Sequence, residues 1–366
     1  MTHTKLRRIA WLAAIAFAAI PALAAAQARN PMEPPPLAPV VEGNGAKGPA
    51  VQPSAALPAA ASAAIEAAAA PRPSRWRAEL DRLDSDLRLR LLAVDAPREH
   101  WLAAQFDLTD IASKVHNLAA ARVAAPDDRL YLASLAFACM QPTQPQLPEC
   151  AAVDRLADWA VRDQGNGVPT FLLGYRALLR GQANAAVAYV DEAAAAPRFD
   201  DYWSQGPQQW WGYLRGYPLP IDPAAKAKAA ATYALEQDLG WTSALHLLCA
   251  DPRERSEPLR AACAKLGQAM GERAATFALR RAGARIAEID AADAKSRAAA
   301  QALAARILEA SAACTLAEPD FESALEAADA TLRQRGIGEF EAWAAAQAKE
   351  GEVGACSRRA AATGRR

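Results

Sequence analysis

The segment from Phe199 to Tyr217, FDDYWSQGPQQWWGYLRGY, holds seven aromatic residues in a chain with 9 Trp, 7 Tyr and 8 Phe. Tyr202, Trp203, Trp210, Trp211, Tyr213 and Arg215 stand there beside Asp200, Asp201, Gln208 and Gln209. Rings with amide and carboxylate neighbours suit a groove that stacks flat groups and bonds their edges, so these six are the candidate ligand-binding residues for a peptide or a glycan. Adjacent Trp210 and Trp211 cannot share one side of a helix, which leaves one of them partly exposed. The competing reading is that large rings fill space in an alanine-rich helical core. One Arg and no Lys argue against stacking on nucleic-acid bases.

Other chemistry is sparse. The sequence contains no H-E-x-x-H, no G-x-S-x-G and no phosphate-binding loop with Lys and Ser/Thr. His100, His116 and His246 read as half-buried helix residues rather than general bases. Asp81, Asp84 and Asp86 read as the solvated side of the opening helix, and Glu318 with Asp320 brackets a helix start, where negative charge is favoured. A carboxylate pair acting on a glycosidic bond is the alternative to a binding role, but no spacing marks one. Gly43-Asn44-Gly45-Ala46-Lys47-Gly48 matches a dinucleotide-binding spacing without the strand and helix that make the motif work. No cofactor and no metal is called for; His246 and Cys249 share a helical face, but a lone pair is not a zinc site.

Six cysteines complete the inventory: Cys139, Cys150, Cys249, Cys263, Cys314 and Cys356. Their meaning depends on compartment. Lys5, Arg7 and Arg8 precede an apolar run from Ile9 to Ile20, then Pro21 and a small-residue stretch to Ala28. That order is a secretory signal peptide over residues 1–28, with cleavage after Ala24, Ala26 or Ala28. An even cysteine count in a periplasmic or secreted chain suggests disulfides. Each neighbouring pair flanks a turn, which favours sequential pairing, although order alone does not choose among the connectivities. The formal charge is zero with those three signal cations included, so the remaining chain is near −3 and shows no nucleic-acid bias. The tail 358–366 is locally basic, with Arg358, Arg359, Arg365 and Arg366.

Behind the signal, residues 29–73 are dense in Pro, Ala and Gly and bury too little to fold, which reads as a disordered linker. From 74 to 357 the spacing is helical. Trp76, Leu80, Leu83, Leu87 and Leu91 form one face behind Ser74 as N-cap. Phe321, Leu325, Ala328 and Leu332 form another, as do Ala300, Leu303, Ile307 and Leu308. Ala-Pro at 96–97 and 125–126, Gly165-Asn166-Gly167, Gly181 and Gly336 read as stops. Short breaks between helices require antiparallel neighbours, so the domain is all-α. No other segment is long and apolar enough to cross a membrane, so stable membrane insertion is not expected.

Within PTFLLGYRALLRGQANAAVAYVDEAAAAP, Leu173-Gly174, Gly181, Ala186 and Ala193 stand at tetratricopeptide-repeat spacing, with Pro197 one place short. Gly174 and Ala186 are small where two helices would cross, and Leu172, Tyr175 and Leu179 would face Val187 and Val190. The chain thus resembles an exported tetratricopeptide- or Sel1-like helical-repeat protein over about 30 residues. The resemblance implies an α-solenoid of stacked hairpins and a non-catalytic interaction scaffold whose partner is an envelope protein or peptide, or a glycan.

Overall fold

The computed structural model describes residues 74–91, 93, 96–106, 110–140, 147–235, 241–250, 256–317 and 321–362. The signal peptide, the linker and the glycine motif at 43–48 lie outside the described residues. The described chain is all-α, built as helices packed in antiparallel hairpins. The first eight helices are α1 (Arg77–Leu91), α2 (Pro97–Phe106), α3 (Ile111–Ala124), α4 (Arg129–Cys139), α5 (Pro148–Ala151), α6 (Arg155–Arg162), α7 (Gly167–Leu179) and α8 (Ala183–Ala195). A 3-10 turn at Trp203–Gln205 leads into α9 (Gly206–Leu214), α10 (Pro223–Leu235), α11 (Trp241–Cys249) and α12 (Glu257–Arg273). Then come α13 (Phe277–Ile289), α14 (Ala294–Ala317), α15 (Phe321–Leu325) and α16 (Ala330–Ala362), the last kinked at Gly351.

Short polar side chains start many of these helices. Asp110, Asp128, Asp154, Asn166, Ser256 and Thr276 each accept a hydrogen bond from a first-turn backbone N–H. Each bond satisfies a donor that a helix leaves open. α1 begins at Arg77, three residues after Ser74, and the Trp76 carbonyl accepts from Leu80 N–H at 2.8 Å. The expected apolar face of α1 does form, with Trp76, Leu83, Leu87 and Leu91 buried.

Two expected faces are cut short. Phe321 and Leu325 are buried in α15, but the chain turns over 326–329 and α16 starts afresh, leaving Leu332 exposed. Asp329 accepts Leu332 N–H at 2.9 Å and Arg333 bonds the carbonyls of Ala327 and Ala328, which stabilises that break. Ala300, Leu303 and Ile307 are buried, whereas Leu308 points to solvent. Gly336 is no stop but lies inside α16, where an added Cβ would stand 2.8 Å from Ala324 Cβ and 3.0 Å from Leu325 N. Its smallness serves the crossing of α15 and α16. Arg358 and Arg359 also belong to α16, with Arg358 ion-paired to Glu350; Arg365 and Arg366 lie outside the described residues.

The repeat-like segment is a helical hairpin, α7 against α8, with Gly181 at φ 70° in the turn. An added Cβ at Gly174 would meet Val190 at 3.2 Å and the Ala186 carbonyl at 3.3 Å, so the helices do cross at these small residues. Leu172, Tyr175 and Val190 are buried as expected; Leu179 is exposed. A tighter crossing joins α12 and α13. An added Cβ at Gly267 would lie 2.5 Å from Ala287 N and 2.6 Å from the Gly283 carbonyl.

Neighbour stacking runs from α2 through α3, α4, α6, α7 and α8 to α12, α13 and α14. Contacts far apart in sequence add to it. α16 packs on α9, on α10 and on the 3-10 turn, and α10 also meets α1. Trp76 donates its indole N–H to the Leu325 carbonyl at 3.1 Å, joining positions 249 residues apart. One large buried cluster reaches from Trp76 to Ala344, and a small one gathers Phe277, Ala284, Leu303, Ile307, Cys314 and Cys356.

All six cysteines are paired, sequentially: Cys139–Cys150, Cys249–Cys263 and Cys314–Cys356, with Cα atoms 5.4, 5.5 and 5.4 Å apart. Three disulfides fit a protein of an oxidising compartment. No helix among the described residues is long and apolar enough to cross a membrane.

Candidate ligand-binding groove

The aromatic segment enters the fold between two hairpin ends. Gly167 N–H donates to the Arg198 carbonyl at 2.9 Å, and Ala275 N–H donates to the Phe199 carbonyl at 2.8 Å. Phe199 is fully buried against Gly167, where an added Cβ would stand 2.3 Å from its ring. Only glycine fits there.

A buried polar network then sets the backbone. Asn166 accepts Asp200 N–H at 3.0 Å and donates to the Asp200 carbonyl at 2.7 Å. It also donates to Asp163 at 2.8 Å. Asp163 further accepts from Trp159 Nε1 at 3.0 Å, from Tyr202 Oη at 2.7 Å and from Arg198. Burial alone would raise this carboxyl. The Asn166 and Tyr202 hydrogen bonds and the Arg198 charge outweigh burial and hold it below its usual range.

Tyr202, at φ 62°, is the non-glycine residue in the left-handed region among those described, held there by these bonds. Asp201 accepts Trp203 N–H at 3.2 Å and Trp241 Nε1–H at 2.6 Å. Its burial, with the Asp200 carboxylate beside it, pushes Asp201 up to about 7. Burial raises Asp200 as well.

This anchor aims α9. Trp210 is buried between Phe106, edge-on at 5.4 Å, and Tyr233 at 4.7 Å. Trp211 turns the other way, edge-on to Phe340 of α16 at 5.8 Å, and is 7% exposed. The expectation that one of these tryptophans is partly exposed gives way because helices cover both sides of α9. Tyr202 is buried too, with its ring hydroxyl spent on Asp163. Trp203 is half-buried, as is Tyr213, which packs on Tyr217 at 5.5 Å. Tyr217 donates to Asp86 at 2.6 Å, so that acid is tied to the core rather than merely solvated.

What remains open beside α9 is a groove of about 270 Å³. Gln208, Gln209, Trp211 and Gly212 line it from α9 and Arg215 from its C-terminal cap, with Arg98 from α2 and Glu341, Ala344 and Ala345 from α16. Of the six residues singled out in the sequence, Trp211 and Arg215 line this groove; Tyr202, Trp203, Trp210 and Tyr213 do not. Arg215 pairs with Glu341 at 3.1 Å. Arg98 donates from Nε to Gln209 Oε1 at 3.3 Å and lies across Gly212, where an added Cβ would be 3.2 Å from its guanidinium. Among the described residues the buried indole N–H groups of Trp211 and of Trp210 have no hydrogen-bond partner, a rarity for buried donors. Gly212 in mid-helix was the sequence hint to a close approach; Arg98 and Glu341, more than 100 residues away from it, left none.

The three histidines do not reach the groove. His100 Nδ1 stands 3.3 Å from Asn117, and His116 is an exposed partner of Glu149. His246 is exposed on α11. Among the described residues no group of three or more His, Cys, Asp or Glu side chains is arranged to hold a metal ion. Comparison of the chain with protein-family models, with curated proteins and with solved structures returns no match.

Proposed function

We propose that this chain is a non-catalytic interaction scaffold of the cell envelope, periplasmic or secreted, that binds a protein, peptide or wall component on its helical surface. In this reading the hairpins are a degenerate tetratricopeptide- or Sel1-like solenoid, closed on itself by α16. The observation that carries the reading is the groove between α9 and α16. It presents two amides, two guanidinia and an indole around a small opening, and its one lining carboxylate, Glu341, is already paired with Arg215. An enzyme of the carboxylate-pair type needs a second acid across the cleft from the first. The other buried acids near this segment, Asp163 and Asp201, are engaged by Trp159, Tyr202 and Trp241 and serve to hold the backbone.

The test uses the exposed rim. A photo-crosslinking residue at Gln208 should trap a defined set of envelope partners, and Ala345→Trp, which fills the groove from an exposed position, should abolish them. The same crosslinker at Leu308, exposed on α14, is the control. Equal trapping from both positions, unaffected by Ala345→Trp, would refute the reading.

A further inference from the structure

We infer that the groove selects a carboxylate on an acidic peptide segment, an inference that rests on the groove being the ligand site. The lining carries Arg98, Arg215 and a single acid, Glu341. Arg215 and Glu341 neutralise each other at 3.1 Å. Arg98 has no carboxylate within ion-pair distance among the described residues, and its bond to Gln209 occupies one donor of a guanidinium fork. The groove therefore offers one uncompensated positive charge with planar, paired N–H donors, which matches a carboxylate in charge and shape. A phosphate dianion would bring more charge than this site balances.

Two features choose a peptide as the carrier. Sugars bind by stacking on open ring faces, and Trp211, the aromatic in the lining, is 7% exposed, so its faces are taken by the core. Gln208 and Gln209 instead set amide donors and acceptors along the opening, the complement of a peptide backbone. Trp211 Nε1–H, buried and with no hydrogen-bond partner among the described residues, belongs to a lining residue and therefore reports on changes in that wall rather than touching the ligand. Gly212 lets the Arg98 guanidinium lie close over α9: an added Cβ would stand 3.2 Å from it, and a side chain as large as leucine would take the space the guanidinium occupies.

The experiment uses three probes: a capped pentapeptide with a central aspartate, the same peptide with asparagine, and an oligogalacturonide. Binding is read by the Trp211 indole N–H resonance, assigned through Trp211→Phe. The aspartate peptide should bind about tenfold tighter than the asparagine peptide and shift that resonance. Arg98→Met, an exposed substitution outside the core, should equalise the two peptides, with Gly212→Leu acting likewise. Equal binding of both peptides by the natural protein, an aspartate preference that survives Arg98→Met, or stronger binding of the uronide would each overturn the inference. Loss of partner trapping in Ala345→Trp without any aspartate preference would leave the groove standing as the ligand site and remove only its carboxylate selectivity. Trapping unaffected by Ala345→Trp would remove the groove itself.

Discussion

Asp201 makes the fold sensitive to pH in a calculable way. Its carboxyl is buried, accepts two hydrogen bonds and titrates near 7 rather than at its ordinary 3.8. Between those values the folded protein holds a proton that the unfolded chain has released. Stability from this group is therefore complete below pH ~4, falls as pH rises and is lost above pH ~7. A difference of about three pH units corresponds to ~4 kcal/mol in total, or ~1.4 kcal/mol for each unit crossed. Asp163 works in the opposite sense, because its carboxyl is held low, and it loses its contribution only in acid.

Asp201→Asn separates the two. The amide cannot ionise, and it keeps one acceptor for Trp203 or Trp241, at a pH-independent cost of about 1–2 kcal/mol. Denaturant unfolding read by tryptophan fluorescence, from about pH 5 to about pH 8, gives the stability of both proteins. The natural protein minus the variant should decline by ~1.4 kcal/mol per unit up to pH ~7 and then level off. Parallel curves would show that Asp201 is ionised in the fold throughout, and the reasoning from its burial would fail.

Other substitutions test the packing. Gly267→Ala should destabilise by about 3 kcal/mol, because its Cβ would meet backbone atoms of α13 at 2.5 and 2.6 Å that cannot move aside. Gly338→Ala, in the same residue class but on the open side of α16, should stabilise by about 0.5–1 kcal/mol; thermal melts that moved both variants the same way would contradict the crossing geometry. Removing Cys314 and Cys356 together should cost more than removing Cys139 and Cys150, about 4 against about 3 kcal/mol, since the loops span 42 and 11 residues. Peptide mapping of unreduced protein should return three sequential bridges, and a Cys150–Cys249 peptide would break the scheme. Tyr202→Phe should cost about 1–2 kcal/mol through the hydrogen bond lost at Asp163, measured by the same unfolding curves.

The sequence carried what is local. Leu83, Leu87 and Leu91 announced a helix because a buried stripe must repeat with the helical turn. The first two cysteine pairs were readable because each joins the end of one helix to the next, and the α7–α8 hairpin because Gly174 and Ala186 needed to be small; Cys314 and Cys356 are also paired in sequence order, but with α15 and most of α16 between them rather than one turn. Breaks that depend on competition were not readable. Leu325 and Leu332 keep helical spacing, yet the Asp329 cap and the approach of Gly336 to Ala324 make two helices there. The candidate site was half visible. The composition of 199–217 marked where texture changes, but which rings face inward depends on α2, α10 and α16, and no spacing within the segment encodes those neighbours. Arg98 and Glu341 entered only with the tertiary structure.

The groove draws one wall from α2, one from α9 and one from α16, and α16 is the last of these to leave the ribosome. A chain emerging N-terminus first holds Arg98 and Trp211 long before Ala344 and Ala345 exist to face them. The groove is therefore incomplete until the helix that also covers Phe321 and the 3-10 turn has docked. A copy clipped ahead of Phe340 would keep two of its disulfides and most of its hairpins but lack the groove wall formed by Glu341, Ala344 and Ala345.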